Sequence, residues 1–290
     1  MPRPAVDVIV PFAGPDRELD ALIARLSALA SNPEDRLIVA DNRAGAGTGT
    51  PQHGRVQILN AGDRAGSYHA RNRGARAGQA PWLLFIDADV EPAPDLLDRL
   101  FEPAPAEKTA ILAGGILDEA PADPARETAA LRYARLRRSM SQEQTLVHGF
   151  AQTANCAVRR AAFDALGGFA EVRSGGDADL CLRASAAGWN IEERRAAEVV
   201  HRNRATIPAM LAQRARHGAG AAWLSRQHPG TFEARNPLGI AWWGAKRAVS
   251  GLGALARGDR DEAVLGLLDG PTLWAFELGR LLPNRRRQGR

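Results

Sequence analysis

Short apolar runs alternate with amphipathic stretches through residues 6–86, and this alternation leaves few folds open. Residues 6–10 form a β-branched run ending at Pro11, the pattern of a buried strand. Residues 16–29 follow, with Leu19, Leu22, Ile23, Leu26 and Leu29 at helical spacing. A second strand spans 37–40 and ends at Asp41-Asn42, a third spans 56–59, and a fourth, apolar throughout, spans 82–86. A Gly- and Thr-rich loop occupies 44–54, and a helix is predicted over 66–78. Strand–helix alternation predicts an α/β fold with a mostly parallel sheet flanked by helices. Such sheets bind ligands beyond the carboxyl ends of their strands, where Asp41, Asp87 and Asp89 fall.

The second half is less regular. Strands are expected at 111–117 and 153–158, helices at 124–138 and 177–187, and a short strand at 199–200 before His201. From Ile207 onward the pattern is helical, with breaks near Pro229, Pro237 and Gly258. Residues 284–290 form a basic tail expected to be disordered.

The chain carries a formal net charge of +5, and Lys108 and Lys246 are its only lysines. A basic balance suits nucleic acid, anionic lipid or a phosphate-bearing substrate. Aromatics make up only 6% of the residues and none is interleaved with a basic stretch, which argues against a nucleic-acid groove. Cys156 and Cys181 lack metal or redox spacing and read as small buried hydrophobes in a reducing compartment. No signal peptide and no apolar stretch of ~18 residues is found, so the expected location is cytoplasmic.

The sharpest local signal is the apolar strand 82–86 running into Asp87-Ala88-Asp89. Side chains alternate along extended chain, so the two carboxylates can face one way and attract a divalent cation. Alone, the pattern also fits a solvated acidic turn. Gly66 to Gly74 opens a helix whose free N–H groups suit an anion, and Arg71 adds a fork suited to phosphate. Gly167-Gly168-Phe169 is followed by Ser174-Gly175-Gly176-Asp177-Ala178-Asp179 at a helix start. Leu180, Ala184 and Ala187 are the expected buried stripe, leaving Asp177 off the core as a functional carboxylate or a plain N-cap. His201 closes a short strand as a ligand or a structural histidine.

In this order, the motifs resemble the family 2 glycosyltransferases of the GT-A fold across roughly the first three-quarters of the chain. The resemblance rests on the strand closing at Pro11, Asp41, the Ala70-Arg71-Asn72-x-Gly74 helix, Asp87-x-Asp89, Gly167–Phe169, Asp177, His201, and the run through Arg214, Gly218 and Gly220. It implies a nucleotide-diphosphate sugar donor, most commonly a UDP-sugar with dTDP and GDP open, and Mn²⁺ or Mg²⁺. It implies that Asp41 reads the base with Pro11 and Phe12 lining the pocket, and that Arg71 contacts the nucleotide phosphate. Asp87 would hold the ribose or a metal water, Asp89 would coordinate the metal, and His201 would be a second ligand. The catalytic base maps onto Asp177, but the family's preceding Glu is Gly176 here, which leaves Asp179 as a lesser candidate. The Gln-x-x-Arg-Trp motif of processive synthases has no match, so the expectation is single-sugar, inverting transfer to a hydroxyl acceptor. Bacterial cell-envelope glycan or glycolipid synthesis is the setting expected by analogy.

The expected organisation is a catalytic domain over 1–204, with a donor part at 1–92 and an acceptor part at 93–204, and a helical region over 205–290. Loops at 120–139 and 149–155 are expected to border the acceptor. The C-terminal helices have three open readings: a cover on the catalytic domain, interfacial helices on the inner membrane face, or a homodimer interface. Three rival functions stand beside transfer. A haloacid-dehalogenase-like phosphatase needs a later lysine that Lys108 and Lys246 do not supply. A sugar-1-phosphate nucleotidyltransferase needs a Gly-rich signature absent from Pro11–Pro15. A catalytically inactive sugar-nucleotide-binding protein is the non-enzyme alternative.

Overall fold

Val8, Ile9 and Val10 have no exposed surface, because β1 (Val6–Phe12) runs through the interior of a nine-stranded sheet. This computed structural model describes residues 2–45, 52–121 and 123–285. The centre of the Gly- and Thr-rich loop and residues 286–290 of the basic tail lie outside the described residues. After β1 come α1 (Asp16–Ser27), β2 (Arg36–Asp41), β3 (Gln52–His53), β4 (Val56–Asn60) and α2 (Ser67–Ala77). Next are β5 (Trp82–Ile86), β6 (Val90–Pro92), α3 (Leu96–Leu100), β7 (Thr109–Asp118), α4 (Ala129–Leu136) and α5 (Gln142–Leu146). They are followed by β8 (Asn155–Arg159), α6 (Arg160–Ala165), α7 (Gly176–Ala186) and β9 (Asn190–His201). Three long helices close the chain: α8 (Ile207–Gln227), α9 (Pro237–Ala256) and α10 (Arg260–Gly279).

The strand order is β3-β4-β2-β1-β5-β8-β7-β9-β6. The expected α/β sheet flanked by helices is present, and it is parallel through β4, β2, β1 and β5. Beyond β5 the direction reverses, with β8 antiparallel to both β5 and β7. Apolar continuity explains why the parallel strands were legible: every residue of β5 is buried, and each large apolar side chain so buried is worth ~1.5–3 kcal/mol. Phe85 sits 4.8 Å from Phe169 in an edge-on contact and 5.5 Å from Phe163. This aromatic group joins the sheet to the segment leading into α7.

Two close approaches fix α2 on the sheet. A Cβ at Gly74 would lie 2.5 Å from Ile9 Cγ2, so glycine lets α2 touch β1. Asn72 Nδ2 donates to the Phe169 carbonyl at 2.9 Å, while Asn72 Oδ1 accepts from the Phe169 N–H at 3.0 Å. The Asn of one motif thereby clamps the Phe of the other.

Several expectations are revised. Residues 124–138 do not form one helix: Thr128 caps a new one by accepting from Leu131 N–H at 3.2 Å, after a short 3-10 turn at Pro124–Arg126. The short strand at 199–200 is the end of the twelve-residue β9, whose Glu192, Glu193, Arg194 and Arg195 hide the strand pattern. Ala187 is exposed, and Cys181 joins Leu180 and Ala184 on the buried face of α7.

The chain divides into two compact units. One holds residues up to Leu117 together with Ser141–His201, and the other holds Asp118–Met140 and Arg202–Arg285. In the second, the expected breaks are realised: Asn236 caps α9 just before Pro237, and Gly258 follows α9 at φ 79°. Helices α9 and α10 meet at Gly251 and Gly266, where a Cβ on Gly251 would be 2.9 Å from Leu267 N. Buried Asp269 on α10 accepts from Arg137 Nε at 2.9 Å, Arg247 Nε at 2.8 Å and Tyr133 Oη at 3.1 Å. No helix among the described residues is long and apolar enough to cross a membrane.

Candidate active site

Strand β5 ends at Ile86 and delivers Asp87 and Asp89 to the carboxyl end of the sheet. Strand β6 then pairs antiparallel with β9 in a register that places Val90 opposite His201. Asp87, Asp89 and His201 consequently converge, each offering one ligand atom within 4.8 Å of the others. His201 Nε2 lies 3.6 Å from Asp89 Oδ1. The ring is almost fully buried, and its Nδ1 has no hydrogen-bond partner. Two carboxylates and an imidazole form a donor set that fits a divalent metal.

Arg71 extends from α2 toward this cluster. It is buried, forms an ion pair with Asp87, and its guanidinium lies 5.3 Å from the centre of the Tyr68 ring. Its Nε is buried without a partner. Tyr68 in turn donates its hydroxyl to Asp177 Oδ1 at 2.9 Å. Burial, and then the negative charge of Asp177, push the Tyr68 phenol well above its ordinary pKa, so it stays a proton donor. Asp177, Tyr68, Arg71 and Asp87 thus form one connected chain of contacts ending at the metal-type cluster.

Asp177 is not the N-cap of α7. Gly175 holds that position at φ 88°, and Asp177 stands in the first turn. Asp179 is buried and accepts from Arg183 Nε at 2.9 Å, so it is held within the helix as half of an i,i+4 pair.

The base-reading group of the sequence analysis lies at the ends of β1 and β2. Phe12 pairs in register with Asp41, both are buried, and Pro11 precedes them partly exposed. Here the structure adds Arg43, which sequence reasoning missed. Arg43 donates to Asp41 from Nε at 2.9 Å and from a terminal nitrogen at 2.7 Å, and its guanidinium lies 5.3 Å from the Phe12 ring centre. The hydrogen bonds it donates to Asp41 first and Asp16 second raise its pKa further. His69 was also missed: buried on α2, it lies 3.0 Å from Asp63 and 3.1 Å from Glu171. Nothing in the local sequence marked Tyr68 or the Glu171 contact of His69, because those partners are set by the fold, whereas Arg43 pairs with Asp41 only two residues away.

Residues 7–167 match the family described as Glycosyl transferase family 2. A pre-mycofactocin glycosyltransferase of Mycobacterium tuberculosis is 28% identical over 268 residues, covering 87% of this chain and 54% of its own length. Glycosyltransferase AglE of Haloferax volcanii is 27% identical over 199 residues, covering 65% of this chain and 64% of its own. The chain spans about half the length of the first of these curated relatives, at 54%. Among solved structures, the mannosyltransferase PcManGT from Pyrobaculum calidifontis, in complex with GDP-Man and Mn²⁺, superposes with a TM-score of 0.65 at 16% identity. That superposition covers 96% of this chain and 87% of the other, and it is a likeness of fold. The family match takes in more than half of the 290 residues and includes Asp41, Arg71, Asp87 and Asp89. The chain belongs to glycosyl transferase family 2.

Proposed function

We propose that the chain is a metal-dependent, inverting glycosyltransferase that moves one sugar from a nucleotide-diphosphate sugar to an acceptor hydroxyl. The observation that carries the reading is the convergence of Asp87, Asp89 and His201, joined through Arg71 and Tyr68 to Asp177. Asp89 and His201 would hold Mn²⁺ or Mg²⁺, with Asp87 beside them, and the imidazole favours Mn²⁺. When bound, the metal supplies positive charge against that building on the leaving diphosphate. Arg71, fixed by Asp87, presents its fork to the same phosphates. Asp177 accepts the acceptor's proton as the hydroxyl oxygen bonds to the anomeric carbon. The bond from that carbon to the diphosphate oxygen breaks with its electron pair leaving on the diphosphate, and attack from the opposite side inverts the centre.

Residues 1–92 form the donor part in this reading and 93–204 the acceptor part, with 205–290 a helical addition. Asp41, Phe12 and Pro11 receive the base, which reaches Asp41 only by displacing or joining Arg43. A UDP-sugar is the donor class expected from the family resemblance. GDP-sugars are the second class to test, because the superposed mannosyltransferase holds GDP-Man. The setting proposed is cell-envelope glycan or glycolipid synthesis on the cytoplasmic side. Helix α9 supports a membrane-surface role: Leu238, Trp242, Val249 and Leu252 are exposed, and the helix holds no acidic residue.

The test is release of nucleoside diphosphate from UDP-glucose, UDP-N-acetylglucosamine, dTDP-glucose and GDP-mannose, each with Mn²⁺ and with EDTA. Turnover of one donor class, abolished by EDTA and by Asp89→Ala, is the expected result. Turnover undiminished by EDTA sinks the metal dependence. Full turnover in Asp177→Asn sinks the assignment of the base.

A further inference from the structure

The residue before Asp177 is glycine, where the family resemblance implies glutamate, and the structure gives that departure a physical reason. A Cβ built on Gly176 would lie 3.0 Å from Cδ2 and Cε2 of Tyr68 and 2.9 Å from the Ala170 carbonyl oxygen. A side chain at position 176 would crowd the Ala170 carbonyl and the Tyr68 ring together, and the carbonyl or the ring would have to shift to admit it. The ring also packs against Phe169, at a centroid distance of 5.4 Å. Its hydroxyl reaches the very carboxylate that would otherwise have had an acidic neighbour.

We propose that Tyr68 is the positioning residue for Asp177, and that its ring, together with the Ala170 carbonyl, leaves position 176 to glycine. The inference rests on Asp177 being the base. An acidic neighbour could steady a base only through backbone geometry or a third group, because two carboxylates repel. A phenol is a neutral donor, and it fixes one carboxylate oxygen by a charge-assisted hydrogen bond. The second oxygen is left to meet the acceptor. Because burial keeps the phenol protonated, this hydrogen bond has its donor across the working pH range. The same ring touches Arg71, which is paired with Asp87, so one side chain contacts both the base and the arginine of the donor side.

The experiment compares Tyr68→Phe, Gly176→Ala and Asp177→Asn in the full chain. It uses GDP-mannose or UDP-glucose, whichever the wild type turns over, with Mn²⁺ and water or an added nitrophenyl glycoside as acceptor. Nucleoside diphosphate release gives kcat and donor KM, and melting with the matching nucleoside diphosphate reports donor-site integrity. Tyr68→Phe preserves the ring and its packing and removes only the donor. A lost hydrogen bond to a charged group predicts kcat down about 10- to 100-fold with donor KM within about twofold. Gly176→Ala is expected to push the ring and lower kcat in the same way. Full kcat in Tyr68→Phe while Asp177→Asn is inactive overturns the proposal and leaves the base assignment intact. A rise in donor KM with loss of the nucleotide-induced melting shift overturns it too, assigning Tyr68 to packing alone. Full kcat in Asp177→Asn is the separate outcome that removes the reading beneath it.

Discussion

Val90 and His201 face each other across the antiparallel pair β6–β9, and this register alone carries a histidine from far along the chain to the side of Asp89. Asp89 adjoins Val90 in sequence, so the ladder fixes the spacing of the candidate ligands before any ion arrives.

Metal binding should therefore stabilise the fold through groups on both strands. Mn²⁺ with a nucleoside diphosphate is expected to raise the melting temperature, since a ligand bound only by the folded state must do so. The rise should vanish in Asp89→Ala and shrink in His201→Ala. An unchanged rise in both variants would remove the cluster from the donor site.

Asn72 bonds to both backbone groups of Phe169. Asn72→Ala leaves a buried N–H and a buried carbonyl without partners. The expected loss is about 2–4 kcal/mol of stability, read by urea unfolding. A loss below about 0.5 kcal/mol would show that water replaces the amide.

His217 on α8 is pushed down to about 3 by burial first and by Arg216 and Arg214 after it. In the unfolded chain an ordinary histidine titrates near 6.5. Between those two values the unfolded state takes up a proton that the folded state refuses, so stability falls as pH drops below about 6.5. The melting temperature should decline from pH 7 to pH 5, and His217→Gln should flatten that slope. An identical slope in the variant would move its origin elsewhere.

The outer face of α9 exposes Leu238 at 80% and Trp242 at 76%, beside Lys246. Vesicles containing phosphatidylglycerol should co-sediment the protein, and purely zwitterionic vesicles should do so less. Trp242→Ser with Leu252→Ser is expected to abolish binding. No sedimentation, together with a concentration-dependent dimer in solution, would assign the face to a second copy.

Legibility followed physical range. Strand β5 was read with its bounds intact because its burial is continuous, and the alternation along extended chain announced that Asp87 and Asp89 could converge. His201 was marked locally only as the end of a short strand, and its place beside Asp89 was not, since nothing local foretells a β6–β9 ladder. Strand β9 was mostly lost because partly buried and exposed charged residues interrupt its pattern. Tyr68 and Asp177 are 109 residues apart, and a single phenol in an ordinary helix start gives no hint of that partner. Arg43 was passed over for the opposite reason: two residues from Asp41, it looked like solvent-facing charge, and only the turn after β2 folds it back over Phe12.

The reversal of strand direction at β5 has its own consequence. Because β8 runs against β5 with Asn155 opposite Ile86, the segment entering β8 arrives at the same end of the sheet as Asp87. Changes of length or side chain just before Asn155 alter what borders the carboxylates. They leave the ladder of β4, β2, β1 and β5 untouched. The parallel half is thus a fixed frame, and the antiparallel half is where the surroundings of Asp87 can change without disturbing that frame.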